Sequence, residues 1–535
     1  MKHFFIVAIL ATFIFAYSKS YTQEKSVVDK IIEIGKTDNQ AMKHLDVLCN
    51  RFGGRLAGSD AYADAAQWVA AKFKEWGMQV VLDSAGSVPV GFNRGPWFGK
   101  MLGGDGMVLH FATPSYTSGT KGVQKGIVVI EPKSQKEFDK MKGKLKGAWV
   151  LIGGENKGWP IDFSKEAIAK RAKIIEENND IEKKNADIEE ENRKNRESGV
   201  KKDLLPLKEE PALFYTQMIE AGILGTIQSS PLPIRVLYDR KNIDSLTFET
   251  LPTTPDIKLD EHQYKIIEQM AKERQRFELE FDIRNHFKMG PVVYNSVTGI
   301  IPGTEYPNEY VILSGHLDAF DVASGAVDDG SGLTATMEAA RLIMKAGGKP
   351  KRTIIICAFA GEEYGLFGAK SWVRHNAEKL DKISNIFNRD GGPLLPVSLT
   401  VSDSMWNDFQ KISESINQIN PEFPFALKKR IAKPMPKKGG GTDATIFAMK
   451  GVPTMTFDLE DSKGYDFKYD EIWHTERDTY NMSIPEYQNH SAIATAIMVY
   501  GVACLDHLLS RAGFYSPDDA TNDTKKDKDK KSKKK

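Results

Sequence analysis

In the second half of the chain, short apolar runs alternate with longer stretches whose apolar positions recur every three or four residues. The runs over 311–314 and 353–360 are typical of strands that are buried on both faces. Between them, Leu333, Met337 and Met344 would lie on one side of a helix. This alternation predicts an α/β fold with a mostly parallel central sheet flanked by helices.

The first half of the chain has a different pattern. Residues 25–80 are helical in pattern, and Gly77 would end the helix predicted over 61–76. From residue 95 onward, short β-rich runs are separated by glycine, proline and serine. The sequence therefore indicates a β-rich region between two parts of the α/β domain, and we place the boundaries of this region at 95 and 255.

A highly charged stretch over 164–203 interrupts the β-rich region. It has an apolar residue at every seventh position, but Arg171, Asn178 and Asn185 occupy the positions where a coiled coil needs its second apolar residue. One apolar position per heptad does not make a full coiled-coil seam. We therefore predict a solvated helical projection, with a partner-binding helix as the alternative.

Composition excludes several classes of protein. The chain has 535 residues, of which 41% are hydrophobic and 27% charged, and this argues against disorder throughout. The formal net charge is +1, but residues 1–20 carry a charge of +2 and residues 525–535 carry +6, so the body is mildly acidic and nucleic acid is not an expected partner. Three cysteines, Cys49, Cys357 and Cys504, do not make a disulfide framework.

The two ends of the chain have their own signals. Lys2 precedes an apolar run over 4–17, followed by Ser18 and Ser20, which is typical of a secretory signal peptide over 1–20. The prediction is export to the periplasm or the extracellular space after cleavage, and the alternative is an uncleaved anchor. Since no other segment reaches 18 apolar residues, we expect no stable membrane insertion. The lysine-rich tail over 516–535 is predicted to be disordered.

The first candidates for chemistry follow the strand predicted over 311–314. His316 and Asp318 come at its carboxyl end, where α/β sheets bind ligands, and residues two apart in an extended chain point the same way. An imidazole held by a carboxylate is a usual metal ligand. Asp328 and Asp329 then precede a predicted helix, where acids also occur as ordinary caps.

The next candidates follow the strand predicted over 353–360. Glu362 and Glu363 are adjacent at its end, so their side chains diverge, and one could bind a metal while the other acts as a base. Asp390 follows another apolar stretch, and His474 lies within 472–479. The ordered set of two histidines, three ligating acids and a spare glutamate suits two zinc ions bridged by a carboxylate.

These residues also carry a family resemblance. His316-Leu-Asp, the run over 325–332, the Glu362-Glu363 pair and Gly441-Thr-Asp443, together with the segment over 50–59, resemble motifs of the di-zinc exopeptidases. That family includes aminopeptidase Y, bacterial leucyl aminopeptidases and plasma glutamate carboxypeptidases. The resemblance covers most of the chain after residue 20.

The resemblance implies a role for each candidate. It implies that Asp328 bridges two zinc ions, that His316 and Asp390 serve one, and that Glu363 and His474 serve the other. Glu362 would be the catalytic general base, and Asp318 the carboxylate behind His316.

The resemblance also implies a domain organisation. It divides the chain into peptidase parts over 21–94 and 256–515, and residues 95–255 would be an inserted protease-associated domain that covers or shapes the cleft. One departure concerns substrate contacts, since Ala444 stands where many relatives have histidine.

The leading hypothesis is a secreted zinc-dependent aminopeptidase or dipeptidase that acts on peptide substrates, and a homodimer is compatible with it. Carboxypeptidase-type specificity on the same site is one alternative. A glutaminyl cyclase-like enzyme with a single zinc ion and a catalytically silent binding protein are the others. The full set of candidate ligands disfavours the last.

Overall fold

The computed structural model describes residues 25–517 except 104, 105, 197, 198 and 200. The predicted signal peptide over 1–20 lies outside these residues, as does most of the predicted tail. Within the described ranges, no helix combines the length and the apolar character that crossing a bilayer requires.

The strands follow one another along the chain as β1 (Gln79–Val88), β2 (Gly91–Asn93), β3 (Trp97–Leu102), β4 (Phe111–Ala112), β5 (Gln124–Ile130), β6 (Trp149–Glu155), β7 (Gly225–Ser230), β8 (Asp256–Asp260), β9 (Glu278–Ile283), β10 (His286–Lys288), β11 (Val292–Ile301), β12 (Tyr306–His316), β13 (Arg352–Phe359), β14 (Ile383–Asn388), β15 (Leu395–Val401), β16 (Ala426–Lys429), β17 (Lys433–Pro434), β18 (Thr454–Met455), β19 (Phe457–Glu460) and β20 (Tyr515–Ser516).

The α-helices are α1 (Val27–Thr37), α2 (Ala41–Asp46), α3 (Asp60–Glu75), α4 (Gln135–Leu145), α5 (Lys165–Lys194), α6 (Tyr215–Glu220), α7 (Arg240–Ser245), α8 (Glu261–Lys272), α9 (Ser331–Lys345), α10 (Phe367–His375), α11 (Trp406–Ser413), α12 (Ala444–Ala448), α13 (Tyr469–Ile472) and α14 (Pro485–Ala503).

The central sheet positions the candidate site. Among the described residues its strands have the order β1-β11-β13-β12-β14-β18, and β12 runs parallel to both β13 and β14. The register places His316 of β12 opposite Phe359 of β13, so the loops that follow these strands begin side by side. Helices such as α9 and α14 cover the sheet, and almost every residue of α9 is buried. The predicted fold class is confirmed.

A second sheet is inserted into the α/β unit that contains the central sheet, which we call the first unit. Its strands, among the described residues, have the order β3-β9-β5-β6-β7-β8-β4 and surround a core of their own, in which the rings of Trp149 and Phe281 lie 4.7 Å apart. It begins after β2 and ends before β10, and these two strands pair with each other. The chain therefore leaves and re-enters the first unit at adjacent points. We call residues 97–283 the inserted unit.

The inserted unit extends further along the chain than the sequence suggested. The boundary predicted at 255 lies inside its sheet, because β8 pairs in parallel with β7 and β9 pairs with both β3 and β5. Strand β8 is buried along its whole length although it contains charged residues. Asp256 and Lys258 are both buried in it and form an ion pair of 2.9 Å.

The charged stretch over 164–203 contains the long helix α5. Three asparagines one heptad apart bind the segment 202–208, which returns along the helix. Each side-chain amide accepts from and donates to the backbone of one residue, over 2.7 to 2.9 Å; the pairs are Asn178–Lys208, Asn185–Leu205 and Asn192–Lys202. We call this arrangement the asparagine ladder. The heptad spacing therefore serves a contact within the chain.

Candidate metal centre

The sequence-predicted ligands come together at the carboxyl edge of the central sheet. They line one cavity of about 660 Å³, whose walls also include Tyr469, Trp473 and the loop 440–442. Each ligand comes from a different element: His316 ends β12, Asp328 lies in the turn before α9, Glu363 follows β13, Asp390 follows β14 and His474 follows α13. Ligands far apart in sequence are thus assembled by strand order.

The five residues form two groups that share Asp328. In the first group, His316 Nε2 lies 3.1 Å from Asp328 Oδ1 and 3.9 Å from Asp390 Oδ1. In the second, His474 Nε2 lies 3.2 Å from Asp328 Oδ2 and 3.1 Å from Glu363 Oε2. In each group the ligand atoms all lie within 4.8 Å of one another. The two oxygens of Asp328 therefore serve different groups.

These distances fit metal ions. Two ligand atoms that are each about 2 Å from a tetrahedral zinc ion lie roughly 3.3 Å apart, close to the separations found here. Glu363 Oε1 is buried and has no hydrogen-bond partner among the described residues, which a cation would supply. Imidazole and carboxylate donors are also those that zinc prefers. The donor set therefore fits two zinc positions.

The ring of His316 is oriented for such a role. Its Nδ1 lies 2.9 Å from the backbone oxygen of Asp318, and a carbonyl oxygen only accepts, so Nδ1 carries a proton and Nε2 faces the group. The carboxylate of Asp318 is further away, at 3.8 Å. The expectation that this carboxylate stands behind His316 stays a prediction, and the carboxylate also has hydrogen-bond partners of its own.

The partner of the Asp318 carboxylate is the backbone after β13. Its two oxygens accept from the amides of Glu362 and Glu363, at 3.1 and 3.2 Å. Asp318 therefore fixes the peptide units that carry the predicted base and one predicted ligand. Glu362 lines the cavity beside both groups.

Excess negative charge dominates the electrostatics of the site. Burial raises the pKa of Glu362 to about 10, that of Glu363 to about 7 and that of Asp390 to about 6, and neighbouring carboxylates add to the effect. For His474, burial alone would lower the pKa, but Glu363 and Asp328 raise it to about 9. The site therefore attracts positive charge, either protons or cations.

Comparisons with known proteins agree with this geometry. Residues 296–498, which include all of these ligands, match peptidase family M28. We call this part of the chain, residues 296–498, the M28 domain, after the family model that it matches. The match confirms the resemblance drawn from the sequence motifs.

Curated relatives match a similar part of the chain. Mouse carboxypeptidase Q is 31% identical over 234 residues, which is 42% of this chain and 46% of the mouse protein. A probable glutamate carboxypeptidase of maize, VP8, is 45% identical over 87 residues, covering 16% of this chain and 12% of that protein. The chain thus spans less than half the length of the curated relatives it matches.

Solved structures share the fold over most of the chain. A peptidase M28 precursor from Shewanella amazonensis aligns with a TM-score of 0.55 at 18% identity, covering 90% of this chain and 97% of that one. A zinc aminopeptidase from Bacillus subtilis aligns with a TM-score of 0.50 at 16% identity, covering 89% and 97%. The likeness of fold therefore extends well beyond residues 296–498.

Two further carboxylates of the M28 domain accept hydrogen bonds from backbone amides at the candidate ligands, Asp478 beside Asp328 and Asp329 at His316, and sequence reasoning did not single out this role for either. Asp478 accepts from the amides of Val327 at 2.6 Å and Asp328 at 3.2 Å, and burial raises the pKa of Asp478 to about 7. Asp329 accepts from the amide of His316 at 3.1 Å. The only sequence signal for Asp478 was its place in the same short segment as His474.

Arg55 is a third supporting residue that sequence reasoning left unassigned. It is fully buried, and it donates to the backbone oxygens of Leu317 at 2.8 Å, Ser324 at 2.8 Å and Gly325 at 3.0 Å. These oxygens belong to the two chain segments before Asp328. Arg55 therefore ties the N-terminal part of the chain to the segments that precede Asp328.

Two other residues near the site, Arg389 and Ala444, lie as follows. Arg389 is buried and donates to the Ser491 hydroxyl at 2.6 Å, so it points away from the cavity. Ala444 begins helix α12 and is buried, and the preceding Asp443 is a buried carboxyl whose pKa burial raises well above its usual value. The cavity wall near this helix is formed by the backbone-rich loop 440–442.

Proposed function

We propose that the protein is an exported di-zinc exopeptidase that removes N-terminal residues from short peptides or splits dipeptides. The observation that carries this proposal is the pair of ligand groups that share Asp328 beside a cavity containing Glu362. A lone zinc site would need only one such group.

In this proposal each ligand has one role. His316 and Asp390 hold one zinc ion, Glu363 and His474 hold the other, and Asp328 binds both. Zinc ions bound there supply Lewis acidity, which polarises a peptide carbonyl and makes a water molecule acidic. Asp318, Asp329 and Asp478 keep the ligands in place through the backbone contacts described above.

Glu362 is the proposed general base. Its carboxylate takes a proton from the attacking water and delivers it to the nitrogen of the leaving amine. A carboxylate with a raised pKa suits both transfers, and cations at the two positions bring the pKa of Glu362 down from its metal-free value of about 10. Because Glu362 is not in either ligand group, it remains available for proton transfer.

The cavity supports recognition of a free amino terminus. Among the described residues that line it, there are four carboxylates and no lysine or arginine. A substrate carboxylate would therefore find no fixed cation of the chain among these residues, whereas a neutral α-amine can act as a ligand of a zinc ion held there. Carboxypeptidase-type specificity is the second candidate, because carboxypeptidase Q is among the relatives at about 30% identity. A glutaminyl cyclase-like enzyme with a single zinc ion is the remaining alternative.

The experiment combines metal counting with a substrate series. Purified protein should contain two zinc ions per chain and should hydrolyse dipeptides with free amino groups much faster than N-acetylated ones. Equal rates on both forms, with loss of activity on C-terminally amidated peptides, would favour the carboxypeptidase alternative. One zinc ion per chain would contradict the di-zinc proposal, and efficient internal cleavage of a long quenched peptide would exclude an exopeptidase.

The remaining parts of the chain complete the proposal. We assign the inserted unit as a protease-associated domain, residues 1–20 as a signal peptide and the lysine-rich tail as a disordered segment. The residues that line the cavity all come from 316–474. In this proposal the inserted unit therefore shapes the cleft by contacting the loops that form its wall, and it does not cover the cleft. Peptides are the proposed partners, and a homodimer is testable by sedimentation.

A further inference from the structure

The two proposed metal positions are held by different kinds of structure. His316 ends β12 and Asp390 follows β14, which are neighbouring strands of the central sheet. Glu363 and His474 lie in loops, and His474 has a φ of 59°, a left-handed conformation that is unfavourable for residues with a side chain. The Glu363–His474 position therefore depends on whatever holds these loops.

One segment of the inserted unit holds the loop of Glu363. We call residues 234–240 the contact segment. The hydroxyl of Tyr238 donates a hydrogen bond to the backbone oxygen of Glu363. Arg240 Nη1 donates to the backbone oxygen of the next residue, Tyr364, at 3.0 Å. Two successive peptide units of this loop are thus fixed by a segment more than 120 residues away in sequence.

The same segment also holds the loop of the second ligand. The backbone of Ile234 accepts from the Glu476 amide at 3.0 Å and donates to the Glu476 carboxylate at 3.0 Å. Arg235 forms a β-bridge with Thr475, and its guanidinium lies 5.0 Å from the centre of the Trp473 ring. These contacts hold the residues directly before and after His474 in the sequence.

Aromatic packing joins the two loops. The ring of Tyr238 stacks on that of Phe320, with centroids 5.5 Å apart, and Phe320 in turn lies 4.3 Å from the His474 ring. Among the described residues, no hydrogen bond or ion pair joins the contact segment to His316 or Asp390. The hydrogen bonds that the contact segment makes to the M28 domain are therefore at the loops of one metal position.

We propose that the inserted unit sets the metal affinity of the Glu363–His474 position through the contact segment, with Tyr238 as a positioning residue. This inference rests on the proposed function, since it requires two metal ions. It makes the two ions unequal: one is held by the central sheet of the M28 domain, and the other is held only while the inserted unit is docked. Partners of metal ligands typically change metal affinity by about 10- to 100-fold when removed.

The experiment follows zinc release from fully loaded protein after a chelator is added, with a colorimetric zinc indicator as readout. Tyr238→Phe, which removes only the hydroxyl, should accelerate the release of one zinc ion by about tenfold or more. The release of the other ion should stay within about twofold of wild type. The matched control is Tyr264→Phe, because the Tyr264 hydroxyl donates to the Ile152 backbone oxygen at 2.7 Å within the inserted unit. This control should leave both rates unchanged.

Combining Tyr238→Phe with a second substitution, in either of the two ligand groups, shows which metal position is affected. With Asp390→Asn present, Tyr238→Phe should still accelerate release of the remaining ion, whereas with His474→Ala present it should have no effect. Arg235→Gln provides an independent variant in case Tyr238→Phe fails to fold, and melting curves verify folding. Wild-type protein with fewer than two zinc ions would overturn the di-zinc proposal. Two ions in wild type, with equal release in Tyr238→Phe and Tyr264→Phe, would overturn this inference alone.

Discussion

Removing the metals should make the stability of the protein fall as pH rises from 5 to 9. Burial raises the pKa of Glu363 from an ordinary 4.5 to about 7, and it raises the pKa of Asp390 to about 6 and of Asp478 to about 7. Carboxyl groups with raised pKa values stabilise the fold when protonated. Their contribution is complete below about pH 4 and is lost as pH rises through 6 to 7. His474, with a pKa of about 9, loses its contribution above pH 6.5 in the same direction.

The expected change in unfolding free energy follows from the pKa shift of Glu363 alone. A rise from 4.5 to about 7 for Glu363, at about 1.4 kcal/mol per pKa unit, amounts to about 3 kcal/mol of unfolding free energy. For a domain of a few hundred residues this is a melting shift of several degrees. Zinc replaces the protons, so the loaded protein should show no such fall and should gain stability with pH.

The assay compares chelator-treated and zinc-loaded protein by thermal unfolding at pH 5, 6, 7 and 8. The matched variant is Glu363→Gln, which cannot ionise and should flatten the pH dependence of the metal-free protein by about 3 kcal/mol. Equal melting temperatures at pH 5 and pH 8 in metal-free protein would refute the reasoning, as would an unchanged slope in Glu363→Gln.

Three further outcomes are expected. Glu362→Gln should retain both zinc ions and lose about 10²- to 10⁴-fold in turnover, and activity within tenfold of wild type would reject Glu362 as the base. Asp328→Ala should lose both ions on dialysis, because its two oxygens face both groups, and two retained ions would show that it is only a helix cap. Asn185→Ala should destabilise the asparagine ladder by about 1–2 kcal/mol, so limited proteolysis near 202–208 should quicken while dipeptide hydrolysis stays unchanged. Asn179→Ala, six positions earlier on the same helix and outside the ladder, is its control and should change neither.

Much of the fold and the location of the candidate site were predictable from the sequence, because both depend on local pattern. His316, Glu363 and Asp390 each follow an apolar run, and strand ends in a parallel sheet meet at one edge. The resemblance to a known family then supplied the pairing of ligands, which spacing alone left open.

The supporting contacts were not predictable in this way. Asp478 is one acid among many in the sequence, and its role depends on the amides of Val327 and Asp328, which lie about 150 residues earlier. Tyr238 belongs to a segment without helical or strand periodicity, so nothing local marks it as a neighbour of Glu363. The boundary at 255 failed because Asp256 and Lys258 neutralise each other inside a buried strand, where charged residues are not expected.

The asparagine ladder limits how the projecting helix can change in length. Its pairs advance by seven residues on the helix and by three on the return segment. Seven helical residues rise about 10.5 Å, and three extended residues span roughly 10 Å, so the two spacings match. An insertion of any other size would place the next asparagine beside the wrong peptide unit. Between its first and last pairs the projection can therefore grow or shrink only in ten-residue units, and the spacing of such asparagines in related sequences should be quantised accordingly.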